Sequence, residues 1–319
     1  MAAENQRQDL AFIFPGQGSQ AVGMLGDFLT SSETALQPVR ECFTQASEAL
    51  GYDLTALVQE GPDEKLNQTE VTQPAILTAS VGLFRTWLGM GGAYPGYFAG
   101  HSLGEYTALV CAGSISLSDA VRLVRDRGQL MQQAVPVGEG AMAAILGLDD
   151  AQVDACCAGV DGEVASANYN TPGQVVIAGT AAAVAAAIDA CKQAGAKRAM
   201  PVAMSVPSHS SLLSDAAIKL GERLASVNIA LPIGLVVHNV DGFPASDTDQ
   251  IRTKLIAQLH NPVLWSACSE YLTAGGVKTM IECGPGKVLC GMQKRIAKTT
   301  QTHMLGSLDG LHGAIEALA

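Results

Sequence analysis

A chain of 319 residues, 48% apolar and 15% charged, can bury a sizeable core in one large domain or two smaller ones. Its formal net charge of -11 argues against general nucleic-acid binding, which needs a basic face, and leaves room only for a local positive patch. Residues 1–9 are polar, 10–15 are too few for a signal h-region, and no apolar run approaches a membrane span, so the expected setting is the cytoplasm. The eight cysteines form no Cys-x-x-Cys pair and have no histidine at zinc spacing. They read as reduced thiols, with Cys156-Cys157 as helix filler.

Leu10–Phe14 is an apolar run ending in Pro15-Gly16-Gln17-Gly18-Ser19-Gln20, a strand feeding a glycine loop. The loop lacks the Lys-Ser or Lys-Thr of a nucleotide-binding P-loop. Residues 57–66 read as loop and turn, and a helix is expected from Gln73 to Trp87, with Pro74 in its first turn. Tyr97, Phe98 and Ala99 lead into Gly100-His101-Ser102-Leu103-Gly104-Glu105, followed by a helical run to Ala112. This Gly-x-Ser-x-Gly is the nucleophile-elbow pattern, a sharp strand-to-helix turn that lifts a serine hydroxyl above a sheet. Taken alone it is equally compatible with a helix N-cap serine.

A second helix starts at Ser116–Asp119, capped by Ser116 or Ser118, and runs to about Gln133. The residues three and four away from Arg122 are polar, whereas those around Arg127 are Leu123, Val124, Leu130 and Met131. Arg122 should therefore face water and Arg127 the core. A buried guanidinium cannot shed its proton, so it needs either a core carboxylate or the carboxylate of a ligand. Residues 138–204 then read as strand, helix, two strands around Asn170-Thr171-Pro172-Gly173, an alanine-rich helix and a strand from Lys197 to Met204. That βαββαβ order is the ferredoxin-like pattern, expected as an insertion. The fold expected is α/β, an α/β-hydrolase-like catalytic domain (1–137 and 205–319) carrying a ferredoxin-like small domain (138–204).

His209 lies in the Pro- and Ser-rich loop Ser205-Val206-Pro207-Ser208-His209-Ser210 and stands out as a base downstream of the serine, the order this fold type uses. His101, His238, His260, His303 and His312 are weaker choices. Helices are expected over 256–264 and 265–274, broken at Pro262. After the strand Thr279–Cys283, Gly284-Pro285-Gly286 turns into a helix carrying Lys287, Lys294, Arg295 and Lys298.

Phe14–Gln20, Gly100–Glu105, Pro207-Ser208-His209 and Glu282-Cys283-Gly284-Pro285-Gly286 occur in that order, and together they closely resemble the malonyl-CoA:acyl-carrier-protein transacylases, the loading acyltransferases of bacterial fatty-acid synthesis. The likeness covers about residues 10–300. Cys283, where a hydrophobic residue often stands, is a minor departure. The resemblance implies a Ser–His dyad with Ser102 as nucleophile and His209 as general base, held by a main-chain carbonyl in the segment of Gln258. It implies an oxyanion hole from the backbone N–H groups of Gln17 and Leu103, and Arg127 as the group that binds the free malonyl carboxylate. It implies malonyl-CoA and acyl carrier protein as partners; exchange of one thioester for another calls for no metal or tightly bound cofactor, and a monomer is expected. Docking of an acidic carrier would need a local positive surface, for which Lys192, Lys197, Arg198, Lys287, Lys294 and Arg295 are available. The alternatives are a serine esterase or thioesterase, or a malonyl transferase of a polyketide or malonate decarboxylase system. A non-catalytic binding module fits poorly with both Ser102 and His209 present.

Overall fold

The computed structural model describes residues 6–202 and 206–318. Among these the strands are β1 (Gln6–Phe14), β2 (Tyr94–Gly100), β3 (Gly140–Leu146), β4 (Val164–Thr171), β5 (Gln174–Thr180), β6 (Arg198–Pro201), β7 (Leu235–Val237), β8 (Thr279–Glu282) and β9 (Gln301–Met304). They form a five-stranded parallel sheet in the order β7-β2-β1-β8-β9 and a separate four-stranded antiparallel sheet in the order β4-β5-β3-β6.

β1 is the centre of the parallel sheet and is buried on both faces. Leu10, Phe12 and Phe14 pack into one apolar cluster and Ala11 and Ile13 into another on the opposite side, the period-two alternation of a strand covered by helices on both faces. Phe12 and Phe14 join Phe84, Trp87 and Phe98 in an aromatic group whose ring pairs are mostly edge-on. Across that face runs the helix Thr69–Gly89, buried along most of its length. It starts at Thr69, four residues before the expected Gln73, and so carries Pro74 in its interior. The polar start Thr69-Glu70 hides the helix in the sequence, and tertiary burial compensates for the hydrogen bond that proline removes.

The stretch expected as loop at 57–66 instead contains the short helices Leu54–Glu60 and Asp63–Leu66. Asp53 caps the first by accepting from the Ala56 N–H at 2.9 Å, and Leu54, Leu57, Val58 and Leu66 are buried. The helix expected from 256 likewise begins at Thr248, where Asp247 accepts from the Gln250 N–H at 2.8 Å, and it ends at His260. The helix after Gly286 spans Val288–Ile296, so Lys287 precedes it without capping it and Lys298 lies beyond it. The strand expected over 197–204 is observed as β6, and its last expected residues, Ala203 and Met204, lie outside the described residues, as does the 204/205 boundary.

β3 to β6 and the helices Asp150–Ala158 and Ala181–Gln193 run βαββαβ along the chain. One face of this sheet buries Ala143, Ile145, Val175 and Ile177 under the two helices. The unit is stitched to the parallel sheet's body through Val263, whose N–H and C=O bond to Ala167 and Tyr169 at 2.9 Å each. The other face of the antiparallel sheet looks across a cleft toward the C-terminal ends of β1 and β2.

Candidate active site

β2 ends at Gly100 and the next helix begins at Leu103, leaving two residues for a complete reversal of direction. Ser102 takes the turn at φ 53°, ψ -106°, a conformation costly for a residue with a side chain. The flanking glycines permit it, because a Cβ on Gly100 would run into the backbone of Gly104, and one on Gly104 into the carbonyl of Phe14. Asn239 holds the turn from outside: its Oδ1 accepts the Ser102 N–H at 2.7 Å and its Nδ2 donates to the Gly100 carbonyl at 2.7 Å.

His209 comes from the loop after the antiparallel sheet and also has a positive φ, 62°. Its Nε2 is 2.7 Å from Ser102 Oγ, and its Nδ1 is 2.7 Å from the Gln258 carbonyl. Since a carbonyl only accepts, Nδ1 carries the proton and Nε2 is left as acceptor for the serine O–H. Burial, reinforced by the nearby charge of Arg127, pushes the His209 pKa down from 6.5 to about 3, and the Gln258 carbonyl opposes the fall. The imidazole is therefore neutral at any ordinary pH.

Arg127 is fully buried on the helix Leu117–Ala134, and Arg122 on the same helix is exposed and paired with Asp119 at 2.7 Å. Ser116 caps this helix through the Asp119 N–H. Arg127 is held by oxygens that carry no full charge. Nη1 donates to Gln73 Oε1 at 2.9 Å, and Nη2 donates to Gln258 Oε1 at 3.1 Å and to Ser102 Oγ at 3.2 Å. The guanidinium also lies 5.4 Å from the centroid of the Tyr106 ring. The partner left open in the sequence is thus not a core carboxylate among the described residues. Burial pulls the Arg127 pKa below its usual value, but a guanidinium remains a cation.

These groups converge on a cavity of about 290 Å³. Its polar end is Ser102, His209, Arg127 and Gln73, and the loop Pro15–Ser19 and Leu103 close one side. The opposite wall comes from the antiparallel sheet and the Val288–Ile296 helix, with Met142, Val176, Val202 and Met292. His101 joins the two sides through Nε2 and Asn170 Oδ1, 2.8 Å apart. Ser102, His209, Arg127, Gln258, Gln17 and Leu103, all named from the sequence, therefore gather at one place, Gln258 just behind the cavity wall and the rest lining it. Gln73, Glu105, His238 and Asn239 were not singled out for roles. Glu105 accepts from His238 Nδ1 at 2.7 Å, from the Asn239 N–H at 2.9 Å and from Gln258 Nε2 at 3.0 Å. Only Glu105, inside the elbow motif, could have been found from sequence, as a charged residue in an otherwise apolar helix.

This arrangement can activate a serine and sets a cationic guanidinium beside its hydroxyl, where an anionic group could be gripped. Residues 11–309 match the family model described as "Acyl transferase domain". The chain belongs to the acyl transferase family. Within the family it is 54% identical over 308 residues to the malonyl CoA-acyl carrier protein transacylase of Escherichia coli (strain K12), covering 96% of this chain and 98% of that protein. A crystal structure of an acyl carrier protein S-malonyltransferase from Vibrio cholerae superposes with a TM-score of 0.92 at 50% identity over 96% of this chain and 99% of that one. A malonyl-transacylase solved in complex with its type II PKS acyl-carrier protein does so with a TM-score of 0.94, also at 50% identity, over 97% and 99%. This chain covers 98–99% of the length of these relatives, and the span matched by the family model includes every residue of the site above.

Proposed function

We infer that this protein transfers the malonyl group from malonyl-CoA to the phosphopantetheine thiol of an acyl carrier protein, supplying fatty-acid synthesis. The observation that carries this reading is the guanidinium of Arg127 at 3.2 Å from a serine oxygen that is itself 2.7 Å from a neutral imidazole. A plain hydrolase needs the last two groups but not the first. In the cycle, Ser102 Oγ attacks the thioester carbonyl as His209 Nε2 takes its proton. The oxyanion rests on the N–H groups of Gln17 and Leu103, worth about 2.7–4 kcal/mol for each donor. The intermediate collapses, the C–S bond breaks, and His209 returns the proton to the departing CoA thiolate. The carrier thiol then attacks the malonyl-serine ester by the same steps reversed, with its proton passing through His209 to Ser102. Arg127 holds the malonyl carboxylate through both halves. The cycle needs no metal and no redox cofactor, because one thioester is exchanged for another.

We read the parallel-sheet body (1–137 and 205–319) as α/β-hydrolase-like and the insertion (138–204) as a ferredoxin-like domain, on its βαββαβ order and its β4-β5-β3-β6 sheet. We place the enzyme in the cytoplasm as a monomer. Among the described residues no helix is long and apolar enough to cross a membrane. The carrier is assigned to the exposed basic residues Lys287, Lys294 and Arg295, which flank the cavity-lining Val288, Leu289 and Met292, with Lys192, Lys197 and Arg198 exposed on the inserted unit.

The test is the mass of the intact protein after mixing with malonyl-CoA alone. One malonyl adduct per chain is expected, mapping to Ser102, formed in a burst that then stalls. Ser102→Ala should show no adduct. Fast multiple turnover to free malonate would instead make the protein a thioesterase.

A further inference from the structure

A buried guanidinium ordinarily sits against a carboxylate. Arg127 does not: among the described residues its hydrogen bonds go to two amide oxygens and one hydroxyl, and its Nε–H has no partner. The balancing charge is one amide away. Gln258 accepts from Arg127 with Oε1 at 3.1 Å and donates with Nε2 to Glu105 at 3.0 Å. Glu105 is itself fully buried. A guanidinium can only donate and a carboxylate can only accept, so the amide between them has a single workable orientation.

We propose that Glu105, acting through Gln258, keeps the Arg127 clamp charge-balanced but unpaired, so that the carboxylate it grips is the substrate's. Coulomb attraction falls off only as the inverse of distance, so a carboxylate one amide removed still offsets a buried cation. A carboxylate in direct contact would do more than offset it. It would occupy the guanidinium's donors in a charge-assisted pair and, being part of the same chain, compete with the malonyl carboxylate at high effective concentration. Gln73, the other amide on Arg127, meets the same requirement by being neutral. Glu105, Gln258 and Gln73 are on this view positioning residues that set acyl-group preference. The proposal rests on Arg127 being the malonyl clamp.

The test is the double exchange Glu105→Gln with Gln258→Glu, which keeps the net charge and nearly the same shape but moves the carboxylate onto Arg127. Single-turnover acyl-enzyme formation is followed by intact mass with malonyl-CoA and with acetyl-CoA, and the ratio of the two rate constants is the readout. The ratio should fall at least about tenfold, the scale of one charge-assisted contact. A uniform slowing with the ratio within about twofold of the parent's would overturn the proposal, because a merely structural disturbance does not distinguish the two acyl groups. Gln73→Glu delivers a carboxylate to Arg127 from a different helix without touching Glu105. It should lower the ratio in the same way, and it decides the question by the same two outcomes if the exchanged protein does not fold. Failure of the underlying reading has a separate signature: in Arg127→Ala the ratio would stay at the parent's value, and the proposal would fall with it.

Discussion

The two sides of the active-site cavity are built on different principles. Behind Ser102, polar groups from four separate chain segments close into one bonded network, and two of its members, Ser102 and His209, hold positive φ angles. Facing it, the antiparallel sheet contributes Met142, Asn168, Asn170, Val176 and Val202, with no titratable group among them. The first side must keep reacting atoms within a few tenths of an ångström, so it is over-determined by hydrogen bonds and can store backbone strain. The second has only to give the acyl pocket its shape and exclude water. Substitutions on the first side should therefore act on the chemical step by orders of magnitude, and those on the second on substrate fit by small factors.

The largest effect that separates the two sides is expected from His209→Ala. It should slow acyl-enzyme formation by about 10²–10⁴-fold with little change in melting temperature, as read by stopped-flow with malonyl-CoA. A loss below tenfold would mean the network does not serve proton transfer. Next is Arg127→Ala, which should remove most of the preference for malonyl over acetyl. It should also leave a trace in pH. His209 must be neutral to take the serine proton, and with its pKa near 3 rather than 6.5 the acid limb of kcat/KM lies well below the range of an ordinary imidazole. Arg127 is the second of the causes that lower it, so its removal should move that limb upward, visible in acetyl-CoA profiles of parent and variant. An unmoved limb would show the two groups to be uncoupled. The same depression has a stability consequence. Above about pH 6.5 the imidazole is neutral folded and unfolded, and between there and about 3 only the unfolded chain takes the proton, so stability falls as the pH drops through that window. The smallest effect is expected on the opposite wall. Val176→Thr should shift KM by about twofold, corresponding to about 0.5 kcal/mol, and leave the acylation burst intact. A hundredfold loss there would erase the distinction between the two sides.

How much of this could be read from the sequence follows the same division. The elbow was legible because its two glycines flank the serine at fixed spacing, although only the collision of Gly100 with Gly104 is local and that of Gly104 is with the distant Phe14 carbonyl. Arg127 was legible because a helix repeats every 3.6 residues, so its apolar neighbours marked it as buried while Arg122 was marked as exposed. The strands and helices of 138–204 were legible from alternating and alanine-rich runs. Residues 54–66, the starts of the helices at Thr69 and Thr248, and the partners of Arg127 were not. Those helices are short or begin with polar turns, and caps and tertiary burial decide them rather than propensity.

By itself the sequence determined which side chains could do the chemistry: one serine at a forced turn, one loop histidine, one arginine on a buried stripe. The serine and the arginine follow from local rules of spacing and sterics, whereas the histidine stood out only as a base placed downstream of the serine. Only the tertiary structure decided what those groups touch. That His209 leans on the Gln258 carbonyl, that Arg127 meets two neutral amides, and that Glu105 stands one amide behind it are contacts between residues 49 to 153 positions apart. No local pattern encodes them, because they exist only once the parallel sheet has brought its loops to one edge and the helices have buried the charges there.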